Sequence, residues 1–254
     1  VDKVDDWIRI NIQLIDESIQ VVEDGKETYA MISIGLGHLV FQAEKILSYF
    51  VHAKVDGFIV QVSDMKQLNE QSLGSYLEFM MNLQKYTGKP IIALKVPIAL
   101  GLTLIAKGIH GFSLGLAGID YFDEQYIKEE RDTFKLYSKF YFPQVMSFLT
   151  YPSKDTFAFE QIYNYFGGCN CRWCRNKTAI EIGTGDKGAQ LHHWEMMLEE
   201  VNQLNQYDGE ERLIYLRSRI DEALSNLDSI PRDIMNSQKN TDYYKLLKNL
   251  KKIV

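Results

Sequence analysis

The sequence predicts an α/β protein built on a parallel β-sheet, and three observations support this prediction. Short apolar runs recur through the first half of the chain, longer helical patterns separate them, and turn residues mark the boundaries. The predicted strands cover 29–35, 56–62, 91–96 and 110–115, and the predicted helices cover 5–23, 39–53, 70–86 and 97–107. Four such units are half of an eight-fold β/α barrel, or one open doubly wound sheet.

A dinucleotide-binding site is not expected in this sheet. Gly35 and Gly37 follow the first strand, but the third glycine of a Gly-x-Gly-x-x-Gly fingerprint is missing. The second half of the chain predicts a charged helix over 124–139 and a strand over 141–149. Further helices are predicted over 191–204, 209–228 and 243–254.

Composition and charge limit the classes of function. The 254 residues carry a net charge of −6, which argues against a generally nucleic-acid-binding surface but leaves room for a local basic patch. No apolar run is long enough to span a bilayer, and the first residues lack a secretion signal. We therefore expect a cytoplasmic protein with no membrane partner.

The most specific motif is Cys169-Asn-Cys171-Arg-Trp-Cys174, followed by His192 and His193. These three cysteines are the only ones in the chain, and an odd, tightly spaced set favours a metal in a reducing compartment over disulfides. Three thiolates and one imidazole complete a tetrahedral zinc site with no open position, so the zinc is predicted to be structural. The spacing alone does not choose between the two histidines.

The order of these motifs resembles the tRNA-guanine transglycosylase superfamily. Cys-x-Cys-x-x-Cys-Arg175-Asn176 is similar to the family's zinc knuckle, and Leu191-His192-His193-Trp194 is similar to its ligand helix. Upstream, the segment 29–37, Asp56-Gly57-Phe58 and Gly108-Ile-His-Gly-Phe112 fall on family strand motifs. The resemblance covers about 5–115 and 165–205.

The resemblance implies a β/α barrel of TIM type, present here as its C-terminal half, with an inserted zinc subdomain. It divides the chain into a half-barrel (1–150), a zinc-binding subdomain (151–205) and a helical tail (206–254). It implies His192 as the fourth zinc ligand. The implied activity replaces guanine in tRNA or DNA by a 7-deazaguanine, so the implied partners are a nucleic acid and the free base.

Two departures from the family pattern affect the predicted chemistry. Leu36 stands where the family has a base-recognising glutamine, and Ser113 stands where it has the nucleophilic aspartate. Asp123, and second to it Asp120, are the local carboxylates that remain for attack on the ribose C1′. The alternative interpretation, which we favour for these two residues, is a solvated acidic start to the charged helix.

Candidate substrate-binding residues lie at strand ends, where barrel enzymes place their sites. The candidates at the ends of the first two strands are Ser33, Gln61 and Asp64, and His110 and Ser113 are candidates on the fourth strand. Ordinary loop contacts explain the first three equally well, and a structural role explains His110 better.

Two further classes of function remain open. The first is a catalytically inactive transglycosylase-like scaffold or partner subunit that binds nucleic acid or a catalytic paralogue. The second is an unrelated β/α enzyme with a convergent zinc loop. The sequence leaves open a homo- or hetero-oligomer.

Overall fold

The computed structural model describes residues 4–23, 25–63, 65, 68–114, 137–152, 156–183, 187–231 and 241–254. The candidate residues Asp64, Asp120 and Asp123 lie outside these ranges, as does most of the helix predicted over 124–139.

The described residues form nine α-helices and six β-strands. The strands are β1 Tyr29–Gly35, β2 Gly57–Ser63, β3 Ile91–Leu94, β4 Gly111–Phe112, β5 Tyr137–Phe142 and β6 Ser147–Pro152. The helices are α1 Val4–Ile19, α2 Leu36–Phe50, α3 Glu70–Thr87, α4 Ile98–Ala106, α5 Thr156–Tyr165, α6 Ala179–Gly183, α7 Lys187–Leu204, α8 Gly209–Ser229 and α9 Thr241–Ile253.

Strands β1 to β4 form a parallel sheet in their sequence order, which confirms the predicted α/β class. Parallel strands are joined by right-handed crossovers, so a sheet that always steps in the same direction carries its connecting helices on one face. The contact of Phe50 in α2 with Phe58 in β2 belongs to this helix-covered face. A doubly wound sheet reverses its strand order, and these four strands do not.

The two faces of the sheet differ in burial. The helix-covered face is fully buried and apolar, and its members are Ala30, Ile32, Ile34, Phe58, Val60, Val62, Ile91 and Ala93. The opposite face carries the alternate residues of each strand, several of which are only partly buried, and Met31 is 46% exposed. No described helix covers this second face as the first is covered, and we call it the open face.

Helix α3 shows how local sequence sets the ends of these elements. The side chain of Asn69 accepts a hydrogen bond from the Ser72 backbone N–H, and the Ser72 hydroxyl accepts one from the Asn69 backbone N–H. This capping box satisfies amides that the first helical turn leaves without partners. Gly88, with φ of 63°, ends the helix in the left-handed conformation that glycine adopts without strain.

The single strand predicted over 141–149 is wrong, because this segment is the turn of an antiparallel hairpin. Strands β5 and β6 pair from Tyr137 with Pro152 to Phe142 with Ser147. Between them, Pro143 opens a short 3₁₀ turn, since its fixed φ and missing N–H suit a turn better than a ladder. The predicted helix over 124–139 is also wrong at its end, where residues from Tyr137 belong to β5.

The hairpin packs against helices from the C-terminal part of the chain. Arg219 of α8 donates to Pro143 O at 3.1 Å, and Asn226 donates to Gln144 O at 2.7 Å, so side chains satisfy the turn carbonyls. The same Arg219 forms an ion pair at 2.9 Å with Glu200 of α7. These contacts fix α7, which carries His192, against the hairpin.

Helices α5 and α6 were not predicted, and the boundary placed at residue 150 falls within β6. Among the helices that the structure describes, none combines the length and the apolar character needed to cross a lipid bilayer.

Replacing Gly57 by alanine tests the packing at the start of β2. A Cβ atom there would overlap the Tyr29 ring and lie 2.9 Å from Pro90 O, which accepts the Phe58 amide. We expect Gly57→Ala to lower the free energy of unfolding by about 1–3 kcal/mol, as overpacking does. Chemical denaturation provides the measurement.

The matched control is Gly74→Ala within α3. A Cβ at Gly74 meets nothing within 4 Å, and alanine stabilises a helix interior by about 0.5–1 kcal/mol relative to glycine. Equal effects of the two substitutions would contradict the close approach of β1 and β3 at Gly57.

Candidate metal centre

The cysteine loop begins where α5 ends. Gly167 and Gly168 have φ of 75° and 73°, a backbone conformation that side chains rarely allow. The Tyr163 hydroxyl accepts from the Cys169 N–H at 2.8 Å and donates to Cys169 O at 3.1 Å. The glycine pair therefore turns the chain back onto α5, and Tyr163 holds the first cysteine in place.

The rest of the loop is a tight turn around Cys171. The backbone N–H groups of Cys174 and Arg175 both donate to Cys171 O, at 3.1 and 2.9 Å. Asn176 then adopts a φ of 66°, which asparagine tolerates better than most residues. This turn points the three sulfurs to the same side of the loop.

Helix α7 brings His192 to the three sulfurs. Its Nδ1 atom lies 3.4 Å from Cys169 Sγ, 3.4 Å from Cys171 Sγ and 3.5 Å from Cys174 Sγ. All four candidate ligand atoms lie within 4.8 Å of one another. Zinc bonds of about 2.3 Å to sulfur and about 2.0 Å to nitrogen give tetrahedral S–N edges of about 3.5 Å. The geometry therefore fits a zinc ion bound by three thiolates and one imidazole.

The other side of the His192 ring is also held. Its Nε2 atom donates to Tyr141 O at 2.9 Å, which leaves the Nδ1 lone pair for the metal. Phe140 stacks on the ring, with centroids 4.2 Å apart and planes at 11°. His192 is fully buried by these contacts.

His193 points away from the sulfurs. Its ring packs edge-on against Phe148 at 4.9 Å, and its buried Nε2 has no hydrogen-bond partner among the described residues. Burial lowers the pKa of His193 to about 3, so its imidazole is neutral at physiological pH. Of the two histidines left open by spacing, His192 is the one placed to bind the metal.

The three thiols differ in acidity before a metal binds. A hydrogen bond from Cys174, together with His192, lowers the pKa of Cys169 to about 4. Burial raises the pKa of Cys171, and the hydrogen bond to Cys169 together with burial raises that of Cys174. At neutral pH the metal-free site therefore holds one thiolate and two thiols.

Four protein ligands would fill the tetrahedral positions of a zinc ion. Its candidate ligands come from the loop after α5 and from α7, and the carbonyl that accepts from His192 Nε2 comes from β5. A bound ion would join these three segments, and the ion pair of Arg172 in the loop with Glu195 of α7 already connects two of them.

Three of the predicted substrate-binding residues lie in one row across the open face of the sheet. Ser33 is in register with Gln61, and Gln61 with Leu94. The pairing of Ile92 with Gly111 places Ser113 beside Leu94, and the Ser113 N–H donates to Ala93 O. The row crosses all four strands near their carboxyl ends.

Gln61 is the buried polar member of this row. It is only 4% exposed. Its amide can supply one acceptor and two donors to a group that reaches this face.

His110 does not join this row. It is exposed and lies just before the first residue of β4, three positions ahead of Ser113. It lines a largely apolar cleft of about 630 Å³ beside Trp194 and Phe148. The structure gives no placement for Asp64, Asp120 or Asp123, which lie outside the described residues.

Comparison of the chain with protein-family models, curated protein sequences and solved structures finds no match. The proposed function therefore depends on the geometry of the metal centre and of the row.

Sequence reasoning missed the residues that support the metal ligands. Phe140, Tyr141 and Tyr163 hold His192 and Cys169, but no spacing rule connects them to the cysteine motif. The sequence held a weak indication of the role of Tyr163. This residue belongs to an apolar pattern with helical spacing, and it precedes the glycine pair by one to two helical turns.

Substitution of the two histidines tests the ligand assignment. We expect the purified protein to contain about one zinc per chain, and His192→Ala to lose most of it. His193→Ala is the matched control and should keep the metal, since its ring points away. Metal analysis by mass spectrometry gives the ratio, and loss of zinc from the control alone would contradict the assignment.

The affinity for zinc should depend steeply on pH. Because the raised pKa values of Cys171 and Cys174 keep both thiols protonated at neutral pH, zinc must displace two protons. The apparent association constant should therefore rise by about two log units for each pH unit around neutrality. Chelator competition at several pH values measures the slope, and a slope near zero would contradict the two-thiol state.

Proposed function

We propose that this chain is part of an enzyme of the guanine-transglycosylase type, which exchanges a guanine in tRNA or DNA for a 7-deazaguanine. The observation that carries the proposal is the row of Ser33, Gln61 and Ser113 on the open face of the sheet. Hydroxyl and amide groups supply the donors and acceptors that read a purine edge.

The roles follow from the chemistry of each group. The Gln61 amide contacts the base, and Ser33 and Ser113 flank it from the neighbouring strands. Asp123, with Asp120 as the second choice, is the proposed nucleophile. Its carboxylate forms a bond to C1′ as the bond from C1′ to the guanine nitrogen breaks, and the guanine takes up a proton. The incoming base then bonds to C1′ through its ring nitrogen and loses the proton from that nitrogen, while the bond from C1′ to the carboxylate breaks and the carboxylate is restored.

The proposed fold is a β/α barrel of which this sheet forms a part. The support is the sequential strand order, with helices on one face and an open face that bears polar groups at the carboxyl ends. The metal centre is proposed to bind zinc and to hold α7 and the hairpin together. The thiolate ligands favour a reducing compartment such as the cytoplasm.

A second candidate is a non-catalytic scaffold or partner subunit that binds nucleic acid or a catalytic paralogue. Leu36 favours it, because this residue opens α2 and is only 6% exposed, so it offers no polar group to a base. Ser113 also favours it, since its hydroxyl donates to Leu114 O at 3.3 Å. A serine without an adjacent base is a weak nucleophile.

Incorporation of labelled guanine and labelled 7-deazaguanine into tRNA and into duplex DNA tests the proposal. We expect incorporation into one of these nucleic acids, and a loss to background in Asp123→Asn. Gln61→Leu removes the amide at similar volume and should lower kcat/KM by about tenfold or more, since unmet hydrogen bonds cost about 1–3 kcal/mol.

Tyr86→Ala is the matched control, since Tyr86 is 60% exposed at the end of α3, away from the carboxyl ends of the strands. It should retain full activity. Binding of nucleic acid without any incorporation would favour the scaffold, and activity that survives Gln61→Leu unchanged would contradict the role of the row.

A further inference from the structure

Helix α2 begins directly after β1 and brings a histidine to the carboxyl end of the sheet. Gly35 is the last residue of β1 and Leu36 is the first of α2, so no loop separates the two elements. Leu36 is buried in the core, whereas His38 is exposed. His38 is therefore the first polar side chain that α2 presents at this end of the sheet.

The imidazole of His38 turns back over the end of β1. A Cβ atom placed on Gly35 would lie 3.6 Å from His38 Cδ2 and 3.5 Å from Ser63 Oγ. Gly35 alternates with Ile34, which lies on the helix-covered face, so this Cβ would project from the open face. The imidazole and the Ser63 hydroxyl therefore lie on the open-face side of the two strand ends.

This position is one step beyond the row of Ser33, Gln61 and Ser113. Gly35 is in register with Ser63, as Ser33 is with Gln61. Two residues along a parallel strand span about 6.6 Å, which is comparable to the length of a two-ring base. A single base on the open face can therefore reach both the Gln61 amide and the His38 imidazole.

Two glycines keep the approach to the imidazole clear. A β-carbon at Gly35 would fill the gap between the His38 ring and the Ser63 hydroxyl, and glycine leaves this gap open. A β-carbon at Gly37, next to His38, would meet nothing within 4 Å, so the space beside the ring is also open. A ligand on the open face can therefore contact the ring.

We propose that His38 is a base-binding residue whose imidazole N–H donates a hydrogen bond to the carbonyl oxygen of a guanine-type base. The inference rests on the proposed function, because it adds a second contact for the base that Gln61 contacts there. A neutral imidazole always has one N–H donor, and a carbonyl oxygen accepts from it. Guanine and 7-deazaguanine share this carbonyl and differ at position 7, so one imidazole serves both the leaving and the incoming base.

The other exposed histidine of this region shows what an ordinary surface position looks like. His52 is exposed and follows the last residue of α2, Phe50. Fourteen residues separate it from His38, which places it about 20 Å away, toward the amino ends of the strands. His52 is therefore the matched control for any effect of removing an exposed imidazole.

Equilibrium dialysis of labelled 7-deazaguanine against the 254-residue chain tests the proposal. We expect His38→Ala to raise the dissociation constant for the base at least about tenfold, since the base carbonyl loses its donor. His38→Asn keeps a side-chain N–H close to the position of Nδ1 and should stay within about threefold of the wild-type constant. His52→Ala should leave the constant unchanged.

A second measurement uses the wild-type protein, so it does not depend on how a variant folds. The ring signals of the five histidines are followed by NMR spectroscopy as 7-deazaguanine is added. The His38 signal, assigned by its absence from the spectrum of His38→Asn, should shift, and the His52 signal should stay in place. A His38 signal that does not move while the base binds would overturn the proposal.

The outcomes separate this inference from base exchange itself. Binding that is unchanged in His38→Ala, or equally weakened in His52→Ala, would overturn the role of His38 and leave base exchange standing. Binding that depends on His38, without incorporation into tRNA or DNA, would support the role of His38 and contradict base exchange. A wild-type chain that binds no base would overturn both.

Discussion

The imidazole of His192 is the contact on which the second half of the molecule depends. Nδ1 faces the three sulfurs at 3.4–3.5 Å, Nε2 donates to Tyr141 O, and Phe140 stacks on the ring. One side chain thus joins the cysteine loop, helix α7 and the hairpin. Each nitrogen has a single role, so the carbonyl on one side fixes the tautomer that the metal needs on the other.

The sheet depends on a different constraint, the constant direction of its strand order. Because every crossover steps in the same direction, the connecting helices lie on one face of the sheet, and this face is apolar and buried. The opposite face stays open and carries Ser33, Gln61 and Ser113. The proposed chemistry uses the face that this order leaves open, because that face carries the polar row.

The sequence predicted the parallel strands and the metal ligands well because both are local patterns. Apolar runs of β-strand length and three cysteines within six positions can be recognised from a few neighbouring residues. The hairpin was missed because the apolar run through Pro143 continues on both sides of the turn, so periodicity alone does not show a reversal. The spacing left His192 and His193 open and the resemblance implied His192, whereas the support from Tyr141 required the packing of α7, which no local pattern encodes.

Helix α9 has a consequence for the order in which the molecule assembles. Asn249 donates to Leu68 O across 181 positions of sequence, Lys252 pairs with Glu70, and the Tyr243 hydroxyl donates to Met146 O. The helix therefore bridges the sheet and the hairpin through contacts of high contact order, which form slowly because a long loop must close first. The sheet, built from neighbouring βα units, should consolidate early, and its coupling to the metal-bearing half should be the late step of folding.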